Sequence, residues 1–293
     1  MSDPTPTSPR PGGRREWVRL LKRLNIRPSK GMGQNFLVER GIFERIVKHA
    51  KIEPTDHVIE VGPGLGILTE ELALRSTAMT AIELDHELAL YLPTVFRDLP
   101  NVRFIEANAL DVRIEQIVPA GQPYVLAANL PYSLAAAVIR HFFEQSYPPR
   151  RMTVMIQREV AERIVATPPG MSILAVACQL YAVPAIAFHV SPDVFEPSPK
   201  VESSVIVFET RPTIAVPPEE RPAFFRLVNA GFRQKRKQLA NSMADELDLP
   251  KADVSALLAR AGVDPSRRAQ TLALDEWVGV AKLWPLIGAP DAP

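Results

Sequence analysis

The sequence predicts a doubly wound α/β domain, with a mostly parallel sheet and helices on both faces, followed by a small all-helical domain. Three observations predict it. From His57 to Gln157 short apolar runs alternate with amphipathic stretches, the pattern of βα units in a parallel sheet. A glycine-rich turn, Gly62-Pro63-Gly64-Leu65-Gly66, follows directly on the first run. Beyond the proline-rich residues 211–218 the periodicity is helical only.

The elements follow in order. Residues 1–13 are rich in Pro, Ser, Thr and Gly and bury too little to order themselves, so residues 1–14 read as a disordered tail. Residues 15–24 read as a short basic amphipathic helix with Trp17, Leu20, Leu21 and Leu24 on one face. Residues 40–50 read as a second, with Ile42, Phe43, Ile46 and Val47 as its stripe. Strands are expected at 57–61, 79–84, 102–106, 124–128 and 152–157. Helices are expected from the glycine turn to 74, around 88–96, and at 134–145, 159–165 and 172–181. Two further strands, 185–190 and 203–209, bring the sheet to seven. A Pro-rich loop too short for a crossover helix joins them, so they should run antiparallel to each other. The α/β domain is thus 15–210 and the helical domain 218–293, with helices at 219–232, 235–246, 252–261 and 274–286.

A chain of 293 residues is long for one core, and 46 % hydrophobic with 23 % charged residues is ordinary for a soluble globular protein. The single cysteine, Cys178, excludes a disulfide framework and a cysteine metal cluster and fits a reducing cytoplasm. No apolar run reaches the ~18 residues of a membrane span. The N-terminal arginines lack the apolar segment of a secretory signal. The net charge of +1 hides two basic segments. Arg10, Arg14, Arg15, Arg19, Lys22, Arg23, Arg27 and Lys30 form one; Arg226, Arg233, Lys235, Arg236 and Lys237 form the other. Together they suggest a polyanion partner; each alone reads equally well as a solvated face.

Alternate glycines after a strand let a ligand approach the backbone without interference from Cβ atoms. The helix that follows offers free N–H groups to a carboxylate or phosphate. A dinucleotide fingerprint, G-x-G-x-x-G, fits neither from Gly62, whose sixth position is Ile67, nor from Gly64, whose sixth is Thr69. The motif Glu60-x-Gly62-x-Gly64-x-Gly66 has instead the form usual in class I methyltransferases that bind S-adenosylmethionine. Glu83 ends the second strand about 20 residues on, where an acid can take both hydroxyls of a ribose. Asp85 stands nearby, but Glu83 closes the apolar run. Asn108 follows the third strand, where it reads either as a turn former or as an acceptor for an adenine amine.

The strand 124–128 runs into Asn129-Leu130-Pro131-Tyr132. An amide oxygen and a neighbouring backbone carbonyl can hold the exocyclic amine of a nucleobase with its lone pair turned toward a methyl donor. Pro131 fixes the chain and offers no competing N–H, and Tyr132 can stack on the base. Catalysis would then be mostly positioning and electrostatics. The rival reading is an Asn-x-Pro turn after a strand. Phe195, on the stiff loop Phe195-Glu196-Pro197-Ser198-Pro199-Lys200, could form the opposite wall of the slot or be a core residue under the loop. A target base would have to leave its stack to enter.

On these residues the chain resembles the KsgA/RsmA family of ribosomal RNA adenine N6-dimethyltransferases. The telling segments are Gly33-Gln34-Asn35-Phe36-Leu37, Glu60 to Gly66, Ile82 to Asp85, Asn129 to Tyr132, Val194 to Ser203 and Gly231 to Lys237. The resemblance implies a class I, Rossmann-like methyltransferase domain and S-adenosyl-L-methionine as cofactor. It implies that Asn35 and Leu37 close over the methionine end and that Glu60, Gly62, Gly64 and Gly66 form the loop. Glu83 with Leu84 would serve the ribose, and Asn108 with Ala109 the adenine. Asn129, Leu130, Pro131, Tyr132 and Phe195 would hold the target adenine, while Lys200, Arg233, Lys235, Arg236 and Lys237 contact RNA. The implied substrate is two adjacent adenines in the 3′-terminal hairpin loop of 16S rRNA within an immature 30S subunit. Neither metal nor membrane is implied, and a monomer is expected.

The chain departs from the family pattern in places. Asn108 stands where Asp is usual, which predicts weaker cofactor affinity. Gln270 replaces a usual Glu, Ser133 follows Tyr132 where Asn is common, and residues 168–172 form a shorter segment than usual. The rivals are a large-subunit rRNA methyltransferase with the same core, an assembly or transcription factor that binds without methylating, and a nicotinamide dehydrogenase.

Overall fold

The computed structural model describes residues 35–284 and Arg19. The tail, the rest of the predicted helix 15–24, Gly33, Gln34 and the end of the predicted helix 274–286 lie outside the described residues. Contacts divide the chain into two compact units. One comprises the residues up to Ala161 with Ala185–Thr210; the other comprises Glu162–Pro184 and the chain from Arg211 onward.

The first unit is built on a seven-stranded sheet. Its strands are β2 (His57–Val61), β3 (Ala78–Glu83), β4 (Val102–Glu106), β5 (Tyr124–Asn129), β6 (Arg151–Gln157), β7 (Ala182–Val190) and β9 (Ser203–Thr210), in the order β4-β3-β2-β5-β6-β9-β7. Strands β4, β3, β2, β5 and β6 run parallel. Strand β9 returns antiparallel to β6, with Met155 opposite Val205. Central parallel strands are covered on both faces, so they read as unbroken apolar runs, and every residue of β2 is buried.

Helix α1 (Arg40–Ala50) buries Phe43, Ile46, Val47 and Ala50. Its His49 carbonyl accepts hydrogen bonds from Arg151 and Thr153 of β6. Helix α4 (Ala135–Phe143) sets the Phe143 ring against Phe208 of β9, and Phe208 pairs with Met152. Since neighbours along a strand point to opposite faces, α1 and α4 cover opposite sides of the sheet. Helices α2 (Ile67–Ala73) and α3 (His86–Val95) complete the βα units.

Two strands of two residues each stand apart from this sheet. Strands β1 (Phe36–Leu37) and β8 (Phe195–Glu196) pair antiparallel, a ladder too short for periodicity to reveal.

The second unit is helical: α6 (Ile173–Tyr181), α7 (Arg221–Phe232), α8 (Leu239–Leu247), α9 (Lys251–Arg260) and α10 (Leu274–Leu283); α5 (Arg158–Ile164) ends within it. Trp277 is fully buried and stacks on Phe232, with ring centroids 5.6 Å apart. The helix predicted over 235–246 begins only at Leu239. Residues 233–238 form a turn closed by Lys237 N–H to the Gln234 carbonyl at 2.9 Å. Two of the departures from the family pattern meet here: Met171 N–H donates to the backbone carbonyl of Gln270 at 3.0 Å. Among the described residues no helix is long and apolar enough to cross a membrane.

Candidate active site

The first βα turn leaves β2 through Gly62, Gly64 and Gly66, all in the left-handed region, with φ of 69°, 58° and 86°. At Gly66 a Cβ would lie 2.5 Å from the Phe96 ring, so the position must be bare for the loop to close on α3. At Gly64 a Cβ would meet the Phe36 ring at 3.4 Å. The loop folds beside Glu83, whose Oε2 accepts the Gly64 N–H at 3.0 Å.

Glu83 is 6 % exposed, and burial raises its pKa against the pull of its hydrogen bonds. Its Oε1 accepts from the Leu84 and Asp85 N–H groups, both at 2.9 Å. Three donors thus fill three of the about four acceptor positions of the carboxylate, and Oε2 keeps one. Glu60 is more deeply buried, at 1 % exposure. Burial, with the nearby charge of Glu83, pushes its pKa up to about 8 against the opposing Thr69 hydroxyl.

Strand β5 delivers Asn129-Leu130-Pro131-Tyr132. Asn129 ends the strand opposite Met155 and is half-buried. Leu130 N–H donates to the Met155 carbonyl at 3.1 Å, which leaves the chain extended past the strand end. The Pro131 carbonyl accepts from Leu134 and Ala135 at the start of α4. The Tyr132 hydroxyl shares a 2.7 Å hydrogen bond with Ser203 Oγ, and burial raises its pKa.

One cavity brings most of these groups together. Asn35, Leu37, Glu60, Gly62, Gly64, Glu83, Asn129, Leu130, Pro131, Tyr132 and Phe195 all line it. Phe195 borders it while fully buried. Gly66, Leu84, Asn108 and Ala109 are not among its lining residues. Asn108 sits in a turn: its Oδ1 accepts from Leu110 N–H and its Nδ2 donates to Asp111 Oδ2, both at 3.1 Å. Lys200 is exposed on the loop after β8. In the second unit Arg233 faces Glu246 at 3.7 Å and Lys237 pairs with Asp245 at 2.8 Å. Lys235 and Arg236 are exposed and make no ion pair among the described residues. No site role for Thr69, Phe36 or Ser203 follows from the sequence. Ser203 lies 71 residues from its partner Tyr132, and nothing local marks it.

The glycine loop after the first parallel strand, the acid at the end of the second and the shared cleft define a class I methyltransferase. Residues 25–284 match the family described as ribosomal RNA adenine dimethylase. The chain belongs to that family. It is 40 % identical over 258 residues to the ribosomal RNA small subunit methyltransferase A of Dehalococcoides mccartyi, a match covering 88 % of this chain and 89 % of the other. It is 39 % identical over 268 residues to the protein of the same name from Desulfitobacterium hafniense, covering 91 % and 95 %. Among solved structures it is similar to the 23S rRNA methyltransferase ErmE, with a TM-score of 0.68, 25 % identity and coverage of 85 % and 99 %. A dimethyladenosine transferase from Plasmodium falciparum shares the fold, with a TM-score of 0.73 at 21 % identity and coverage of 85 % and 96 %.

Proposed function

We propose that the protein transfers methyl groups from S-adenosylmethionine to N6 of two adjacent adenines in the 3′-terminal hairpin loop of 16S rRNA. It does so on an immature 30S subunit, as a cytoplasmic monomer. The observation that carries this reading is that the glycine loop and Asn129–Tyr132 line one cavity.

The residues present fit the cofactor. Bare backbone at Gly62 and Gly64 leaves room along the cavity, and Glu83 keeps acceptor capacity for a ribose hydroxyl. Asn35 and Leu37 would cover the methionine end, Leu84 would stand with Glu83 at the ribose, and Asn108 and Ala109 would lie toward the adenine. When bound, S-adenosylmethionine supplies an electrophilic methyl group on a sulfonium.

The remaining work falls to the chain. Adenine N6 is a poor nucleophile because its lone pair is conjugated into the ring. Asn129 Oδ1 and the Leu130 carbonyl accept its two hydrogens and favour a pyramidal nitrogen. Pro131 holds that geometry, and Tyr132 and Phe195 clasp the base between rings, a contact worth ~1–3 kcal/mol per stacked base. Positioning and fixed dipoles then supply most of the rate. Lys200 in the first unit, and Arg233, Lys235, Arg236 and Lys237 in the helical unit, contact the RNA backbone.

The test is methyl transfer from labelled cofactor to small subunits that lack the modification, beside large subunits and naked rRNA, with labelled bases mapped by mass spectrometry. Dimethyladenine at adjacent small-subunit positions supports the proposal. Label confined to large-subunit RNA would shift the protein to the substrate class of the 23S rRNA methyltransferase ErmE. No label, with tight subunit binding, would leave an assembly factor.

A further inference from the structure

Glu60 is assigned neither the base nor the ribose, yet it is among the residues that line the cleft. Its Oε2 accepts the Thr69 hydroxyl at 2.7 Å, and Oε1 has no hydrogen-bond partner among the described residues. Among the described residues the charge that acts on it is that of Glu83. Strand β3 contributes Glu83; α2 contributes the neutral Thr69; the residues in register with Glu60 on β3 and β5 are Ala81 and Ala127.

Two buried carboxyls therefore share one cleft on unequal terms. Glu83 has three backbone N–H donors, and Glu60 has a single hydroxyl. Neighbouring buried acids resist double ionisation, and the less supported one keeps its proton. That acid is Glu60.

We propose that Glu60 is the residue by which the cleft distinguishes the cationic methyl donor from its neutral, demethylated product. This rests on the S-adenosylmethionine reading of the cleft. When a sulfonium enters, the Glu60 O–H bond breaks, the proton passes to solvent, and the carboxylate is left facing the cation. A unit charge held ~5 Å away at an effective dielectric of about 20 lowers a carboxyl pKa by roughly two units. Once the methyl group has gone and the sulfur is neutral, Glu60 takes a proton back from solvent. The methylated amine sheds one proton in the same turnover, so the two balance. The product then faces a neutral wall, which favours its exchange for fresh donor.

Calorimetric titration at pH 6.5, in buffers of different ionisation enthalpy, tests this. Both S-adenosylmethionine and S-adenosylhomocysteine carry an α-ammonium, a group that titrates near ~7.7–8.0, so at pH 6.5 it stays charged in both. The expected result is release of close to one proton per site with the sulfonium and none with the thioether. The affinity ratio of sulfonium to thioether should also rise by up to about tenfold per pH unit between pH 6 and 8. Glu60→Gln keeps the Thr69 contact and should abolish both effects. Binding of both ligands with equal proton release, or with none, overturns the proposal. These wild-type titrations decide the matter even if the variant fails to fold. Absence of binding by either ligand at any pH overturns the cofactor reading and this proposal with it.

Discussion

Leu37 stands opposite Phe195 in an antiparallel ladder only two residues long, with Phe36 opposite Glu196 beside them. Val38 N–H extends the contact to the Val194 carbonyl at 3.0 Å. Leu37 is 2 % exposed and Phe195 fully buried. The segment proposed to cover the cofactor and the ring proposed to wall the acceptor slot are thereby joined by one ladder. Leu37→Ala should cost about 2–5 kcal/mol of stability and weaken binding of both labelled cofactor and rRNA. Loss of cofactor binding alone would show that the ladder does not link the two sides.

Tyr132 lines the cavity, and its hydroxyl shares a hydrogen bond with Ser203. Tyr132→Phe should cost about 1 kcal/mol of stability and keep most methylation. Tyr132→Ala should lower kcat/KM roughly 5- to 150-fold, from the ~1–3 kcal/mol of stacking. Equal activity of the two variants would remove the ring from the mechanism.

Asp56 is fully buried and bound by Arg150 through both oxygens, at 3.2 and 2.5 Å, where it ties the start of β2 to the start of β6. Arg150→Ala leaves that buried carboxylate without its counter-ion, held by the Glu53 N–H alone among the described residues. Removing one partner of a buried pair costs about 3–5 kcal/mol; Arg150 is 32 % exposed, so about 3 kcal/mol is expected from denaturant unfolding. A loss under about 1 kcal/mol would mean that solvent already screens the pair.

Glu60 also makes stability depend on pH. Its folded pKa, raised to about 8 by burial, lies above the unfolded carboxyl value of ~4.3. The folded form therefore holds the proton more tightly, and the stabilisation is complete below about pH 4 and is lost as pH rises through 8. The Tm of unliganded wild type should fall between pH 5 and 8.5 more steeply than that of Glu60→Gln. Parallel curves would contradict the assignment.

Asn108 holds Asp111 across a turn at 3.1 Å. Asn108→Asp removes the donor to Asp111 and sets two acids together there, so Tm should drop by a few degrees at pH 8. If the position also meets the cofactor adenine, the charged acceptor should tighten cofactor binding several-fold, since a charge-assisted hydrogen bond is about twice as strong as a neutral one. Titration with labelled cofactor reads the second effect separately.

The sheet was legible because buried parallel strands are unbroken apolar runs separated by helical periodicity, and β2, β4 and β5 begin where the pattern places them. The glycine turn and Asn129–Tyr132 were legible as motifs because each is local, and both line one cavity. Long-range partners were not: Ser203 on Tyr132, Thr69 under Glu60 and the β1–β8 ladder depend on the closed fold. The basic stretch at 233–238 misled, since Lys, Arg and Gln all favour helices; in the structure Arg233 and Lys237 instead face the acids of α8.

The decisive measurement is the activity of Asn129→Ala on unmodified small subunits, with cofactor and subunit affinities measured in parallel. The expected result is loss of methyl transfer by at least a hundredfold, with rRNA binding and the fold intact, because the acceptor for the N6 hydrogens is gone. Methylation near the wild-type rate would contradict the role given to Asn129 and reduce Asn129–Tyr132 to a turn after a strand.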